Sequence, residues 1–153
     1  MEETPVWIRP SVMEWCRTLL TSYRHWTGSE LIEPVAGRSE ALFHAPFVLV
    51  SHGIEEDPIL NYGNRMALDL WEMSWDELTT TPSRLTAEPI NRAERQRILE
   101  QAKTKGYISD YRGVRISKSG RRFLIERAVV WNVVDAAGHR LGQAATFSEW
   151  SFL

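Results

Sequence analysis

The chain has 153 residues, 43% of them hydrophobic and 25% charged, with a formal net charge of -2, which is the usage of one ordinary globular domain. No basic run offers a footprint for nucleic acid, and no window approaches the roughly 18 uninterrupted apolar residues of a membrane span. The single cysteine, Cys16, excludes an internal disulfide framework and fits a reducing compartment, and the acidic start Met1-Glu2-Glu3 is unlike the basic opening of a signal peptide. The expectation is a soluble, cytoplasmic protein that engages neither nucleic acid nor membrane.

Taken in chain order, Pro10-Ser11 opens a first helix, with Ser11 as its N-cap. Val12, Trp15, Cys16, Leu19, Leu20, Tyr23 and Trp26 then recur at the spacing of one helical face, and Gly28 closes the helix. The stripe is wide and aromatic, so this helix must cover an apolar surface elsewhere. A looser stretch with Pro34 and Gly37 leads to a short helix over residues 39–44. Ala45-Pro46 ends it, residues 47–51 read as a buried strand, residues 53–58 as a turn, and residues 59–62 as a second short strand. Gly63-Asn64 starts a helix with Met66, Ala67, Leu70 and Trp71 on one face, and Ser74 caps a further turn through Trp75 and Leu78. Pro82 and Pro89 bracket a loop, and residues 90–105 form a charged, solvated helix ending at Gly106.

The remainder reads as strand. Residues 107–117, 122–134 and 140–147 are three long runs joined by turns containing Gly120 and Gly138, which implies an antiparallel meander. Seven tryptophans are spread along the chain. Most read as core and dimer-interface filling, with one or two available to line a ligand cavity.

The order helix, two strands, several helices, three strands, together with "ILNYGNRMALDLWEMSWDEL" and "RISKSGRRFLIE", resembles a PAS domain. More closely, "LFHAPFVLVSHG", "DPILNYGNRMALDLWEM" and "PSRLTAEP", in that order, resemble the MEKHLA family. That PAS-related group occurs as stand-alone bacterial proteins and at the C-terminus of plant class III homeodomain-leucine zipper transcription factors. The resemblance implies an α+β, PAS-like fold: a five-stranded antiparallel sheet with helices on one face and the N-terminal amphipathic helix covering the other. Residues 1–38 would be a helical extension and 39–153 the PAS-like domain, forming one structural unit.

Alternation along the central strand puts Leu124, Glu126, Ala128, Val130 and Asn132 on one face, and Phe123, Ile125, Arg127, Val129, Trp131 and Val133 on the other. The resemblance places the first set inside and the second under the N-terminal helix. It also sends Gln143, Ala145 and Phe147 of the last strand inward, so that Glu126 and Gln143 become neighbours in an apolar cavity. A buried carboxylate needs a partner or a proton. Glu126 therefore reads either as the partner of a local arginine or as a polar anchor for a small ligand. The expected ligand-binding set is Glu126, Gln143, Leu124, Phe147, Asn132, Asn61, His52 and Arg84.

No HxxxH, HExxH or CxxC spacing points to a metal. Heme on one of the four histidines and flavin both stay open as cofactors, and neither is indicated by a motif. By resemblance, Ser83-Arg84 stands where light-sensing PAS domains carry a photoactive cysteine followed by arginine, which removes cysteinyl-flavin chemistry. A glutamate in the central strand, where flavin binders prefer an amide, argues further against flavin. Arg84, with Arg92 and Arg95 on the next helix, either binds a phosphate or makes surface ion pairs with Glu88, Glu94 or Asp69. Catalysis would have to rest on unfamiliar residues such as His52, Asp57 and Glu126. The reading is a sensory or regulatory domain, not a conventional enzyme, that binds a small molecule in its core and acts by contact with a protein partner or as a homodimer. The alternatives are a small-molecule enzyme built on the same cavity and a ligand-free dimerisation module.

Overall fold

The structure is a computed structural model that describes residues 4–153; the acidic start Met1-Glu2-Glu3 lies outside the described residues. Pro10 occupies the first position of helix α1 (Pro10–Thr27), where its missing N–H would have found no helical partner, and Arg9 rather than Ser11 is the cap residue. The hydroxyl expected to cap is already one turn inside. At the other end Gly28 takes φ 75° and its N–H donates to Arg24 O at 2.8 Å. Helix α2 (Arg38–Phe43) leads into strands β1 (Val48–His52) and β2 (Leu60–Gly63).

Three helices return the chain across the sheet. Helix α3 (Arg65–Trp71) is capped by Asn64, α4 (Trp75–Leu78) by a reciprocal capping box of Ser74 and Glu77, and α5 (Pro89–Lys105) carries Pro89 in its first turn. A single 3-10 turn, Ser83–Thr86, sits between α4 and α5. The meander follows as β3 (Tyr107–Ile116), β4 (Arg122–Val134) and β5 (Arg140–Phe147). The spatial order is β2-β1-β5-β4-β3, antiparallel throughout. A last segment, β6 (Glu149–Phe152), prolongs β5 along the first half of β4.

Each face of the sheet has its own core. On the outer face Val12, Cys16, Leu19 and Leu20 of α1 pack on Leu49, Trp131, Val133 and Ala144. Full burial of each leucine contributes about 1.5–3 kcal/mol. Polar contacts set the helix's position: Ser22 Oγ donates to Val134 O at 2.9 Å, and Trp26 Nε1 donates to Asn132 O at 2.9 Å. On the inner face Ala67, Leu70 and Trp71 of α3 and Ile98 and Ala102 of α5 pack on Val48, Val130 and Phe147.

The central strand does not alternate uniformly. Arg127 in β4 and Asp110 in β3 take left-handed φ values of 54° and 60°, and the pairing register shifts on both sides of the Tyr111–Ala128 pair. Each strand thus carries one extra residue, and the two bulges cancel: Ile108 faces Val130 on one side and Gly113 faces Ile125 on the other. Because side-chain period is two residues, a bulge exchanges the faces. Ala128, Val130 and Asn132 point inward as the sequence suggests, but before the bulge it is Phe123 and Ile125 that enter the inner core. Leu124 and Glu126 are therefore not inward residues. The same exchange turns Tyr111, Gly113 and Arg115 of β3 to the inside.

Candidate functional site

Between the inner sheet face and helices α3 and α5 lies a cavity of about 60 Å³, lined by apolar side chains that include Val50, Trp71, Val130, Ala145 and Phe147. That is room for about four to six waters at roughly 10–15 Å³ each. Polar groups enter it from three directions. Across the sheet, His52, Gln143 and Asn132 form one row, because His52 is the register partner of Gln143 and Gln143 that of Asn132. Arg95 comes from α5, with Ser83 and Thr86 beside it on the 3-10 turn, and Arg115 and Tyr111 come from β3.

The row is partly self-satisfied. Asn132 Nδ2 donates to Lys103 O at 3.0 Å and its Oδ1 accepts from Arg140 Nε at 3.2 Å, so this side chain ties α5 to the sheet at the cavity's end. Gln143 Nε2 donates to Leu99 O at 3.0 Å, leaving its Oε1 without a partner. His52 Nδ1 lies 2.9 Å from Gly53 O. Burial, together with the charges of Arg95 and Arg140, holds its pKa below the ordinary imidazole value. The neutral ring then donates from Nδ1, and Nε2, buried without a partner, presents a lone pair. Trp71 Nε1 is the third buried polar atom of a cavity-lining side chain with no partner among the described residues.

Arg95 donates to Ser83 Oγ, and Arg115 donates to Tyr111 Oη at 3.1 Å and to Val114 O at 2.9 Å. The Tyr111 ring lies over Gly113, where a Cβ would come within 2.2 Å of the phenol oxygen. Glycine at that position is what lets tyrosine and arginine share the inner face. Burial first, and then the neighbouring charge of Arg115, push the pKa of Arg95 down to about 10. A wider outer basin of about 420 Å³ adjoins the cavity between the β1–β2 loop and α5, and the two share His52, Ser83, Arg95, Leu99 and Gln143.

Of the residues expected at the site, the structure places His52, Gln143 and Phe147 on the cavity and Asn132 at its end. Four lie elsewhere. Glu126 sits on the uncovered part of the outer face, 3.2 Å from Arg112 Nε, its side chain 43% exposed, and Leu124 shares that face through the bulge at Arg127. Asn61 accepts from Ser51 Oγ at 2.6 Å beneath α1, where Ser51 in turn accepts from Trp15 Nε1 at 2.9 Å. Arg84 stands at the outer basin, 3.2 Å from Asp57. The catalytic combination of His52, Asp57 and Glu126 is not assembled: the first is on the inner cavity, the second in an exposed ion pair and the third across the sheet.

Sequence reasoning missed Arg115, Trp71 and Tyr111, and read Arg95, with Arg84 and Arg92, either as a phosphate ligand or as a surface ion-pair partner. A signal for Arg95 existed. It precedes Ile98 by three residues and Ala102 by seven, so it belongs to the buried stripe of α5. Nothing local marked Arg115, whose direction depends on the bulge at Asp110.

The inner cavity alone, at about 60 Å³, is smaller than the fused rings of a flavin or a porphyrin, and the outer basin of about 420 Å³ opens onto it. Cys16 is buried on the other face, under α1, where desolvation raises its thiol pKa. The argument against flavin from a central-strand glutamate falls with the register, since Glu126 lies on the outer face. Among the described residues no cluster of His, Cys, Asp or Glu could hold a metal, and no helix is long and apolar enough to cross a membrane.

The sequence profile of the MEKHLA domain matches residues 13–152. Among curated proteins, homeobox-leucine zipper protein HOX10 of Oryza sativa subsp. indica is 29% identical over 154 residues, covering 94% of this chain and 18% of that protein. Homeobox-leucine zipper protein ATHB-15 of Arabidopsis thaliana is 23% identical over 148 residues, covering 94% and 18%. The chain thus spans about a fifth of the length of these relatives. Among solved structures, the PAS domain of a protein from Colwellia psychrerythraea superposes with a TM-score of 0.63 at 14% identity, over 76% of this chain and 93% of that one. The light-state dimer of the fungal blue-light photoreceptor Vivid gives 0.64 at 16% identity, over 95% and 97%. At these identities the structural likeness is one of fold.

Proposed function

The chain belongs to the MEKHLA domain family, and from that premise we propose that it is a PAS-like sensory or regulatory module that binds a small ligand in its inner cavity and acts through protein contact. The observation that carries this reading is the state of the cavity wall. His52 Nε2, Trp71 Nε1 and Gln143 Oε1 are buried on cavity-lining side chains without partners. Each such group costs about 1–3 kcal/mol, and native structures keep few of them. Polar atoms around an apolar hollow are the pattern of a ligand site.

The test is a thermal-shift and native mass-spectrometry screen of metabolites on the parent protein and on Ala145→Leu, which fills the hollow. A ligand that raises the melting temperature of the parent alone supports the reading; equal binding by the filled variant refutes it.

Output by self-association has a changed basis. Trp131 is fully buried, and the indole nitrogens of Trp15 and Trp26 are bonded to β1 and β4, so these tryptophans are used within the chain. Ile8, Met13 and Val35 remain exposed near α1. We place the contact with a second copy or a partner there. Sedimentation as a monomer at tens of micromolar, on the order of weak dimer constants, would exclude the homodimer.

A further inference from the structure

We propose that the inner cavity takes a small organic acid, its carboxylate held between Arg95 and Arg115 and its compact body packed against Trp71, Val130 and Phe147. This rests on the cavity reading above and adds the charge and chemical class of the ligand.

Arg95 and Arg115 are only 7% and 8% exposed and line the same small volume. Among the described residues neither forms an ion pair. Of the carboxylates on the adjoining basin, Asp57 pairs with Arg84, Glu55 accepts from Ile59 N at 3.1 Å and Glu100 accepts from Gln96 Nε2 at 3.4 Å, and none of them bonds either arginine. Their own partners are neutral: the Ser83 hydroxyl for Arg95, and the Tyr111 hydroxyl and a backbone carbonyl for Arg115. Two guanidinium groups in one desolvated hollow repel each other and lack the counter-charge that buried cations ordinarily have. An anion between them relieves both, and the planar fork of arginine matches the two oxygens of a carboxylate.

The remaining unpaired atoms narrow the class further. Trp71 Nε1 adds a donor, whereas His52 Nε2 and Gln143 Oε1 are acceptors. Acceptors call for an O–H or N–H on the ligand, and the apolar wall disfavours inorganic phosphate, which has no carbon body to pack against it. The apolar wall and the volume of about 60 Å³ admit a body of a few carbons, with the outer basin as the way in. A short hydroxy acid answers each of these features.

The experiment titrates butyrate, 2-hydroxybutyrate, butyramide and inorganic phosphate into the purified domain. Binding is followed by thermal melting and by the side-chain Nε–H resonances of Arg95 and Arg115. Butyrate and 2-hydroxybutyrate should saturate and move both resonances, the hydroxy acid binding tighter. Arg95→Met and Arg115→Met should each weaken them by about tenfold or more, the effect of losing a charged hydrogen bond. Without ligand, Arg95→Met should melt higher than the parent, because an unpaired buried charge has been removed. A merely structural arginine would melt lower when replaced. Carboxylates binding the methionine variants unchanged, or phosphate binding more tightly than either acid, would overturn the proposal. Butyramide binding while the acids do not would remove the charge assignment and leave the cavity reading standing. Silence from all three organic probes would overturn the proposal, while the cavity reading is decided by the metabolite screen on the parent and Ala145→Leu.

Discussion

Asn64 is the residue whose replacement tests most directly how the fold is held together. Its side chain is fully buried and makes four hydrogen bonds. Oδ1 accepts from Ala67 N and Leu49 N, both at 3.1 Å, and Nδ2 donates to Phe47 O at 2.8 Å and Leu42 O at 3.2 Å. One amide thus caps α3 and joins it to the end of α2 and the start of β1. In Asn64→Ala the cap alone is worth about 1 kcal/mol. Leu49 N–H and Phe47 O also lose a partner, at about 1–3 kcal/mol each. Leu42 O keeps a contact with Ala45 N at 3.4 Å and adds little. The expected loss is about 3–7 kcal/mol, a large part of the 5–15 kcal/mol typical of a domain. It should appear in urea titration as a lower midpoint at unchanged slope. Asn64→Asp keeps the acceptor but sets a carboxylate against two carbonyls, so it should be destabilised as well. A loss under about 1 kcal/mol for Asn64→Ala would refute the claim that this amide joins the three elements.

Glu126→Gln removes an exposed partner of Arg112, so stability should change by less than about 1 kcal/mol and ligand binding not at all; a loss above about 2 kcal/mol in a urea melt would contradict the outward placement. Arg127→Gly should stabilise the domain by about 1 kcal/mol, because the bulge demands a left-handed φ that glycine adopts freely. Deleting Arg127 should leave the fold in place, since plain alternation then still puts Phe123, Ile125 and Ala128 on the inner face; loss of the folded circular-dichroism signal on deletion would refute the bulge assignment. The folded state disfavours protonated His52 relative to the unfolded chain, so its contribution is full above pH 6.5 and is lost as pH falls from 6.5 through the depressed folded value. The slope from this one group is at most about 1.4 kcal/mol per pH unit, and it should flatten in His52→Gln when stability is followed by denaturant titration from pH 8 to 5.

Element order and element ends were legible locally, because periodicity, caps and turn residues act within a few positions. The stripe of α1 marked it as the cover for an apolar sheet face, Gly28 and Gly106 marked helix ends, and Ser74 marked the start of α4. Two strands of the meander have the expected bounds. Side-chain direction in β4 was legible only from Ala128 onward. The bulge that reverses it rests on a left-handed arginine, and no glycine or asparagine signals that conformation at Arg127 or Asp110. Gln143 and Phe147 on β5 were legible through the family resemblance, and no bulge disturbs the register there; His52 was expected at the site without a stated direction. The rest of the site required the tertiary structure. Arg115 and Tyr111 face the cavity because two bulges on neighbouring strands compensate each other, and Arg95 is buried because α5 rolls its Ile98–Ala102 stripe onto the sheet. Spacing along a chain tells which residues share a face. Which face meets the core, and what charge is left there unanswered, is decided by the packing of elements distant in sequence.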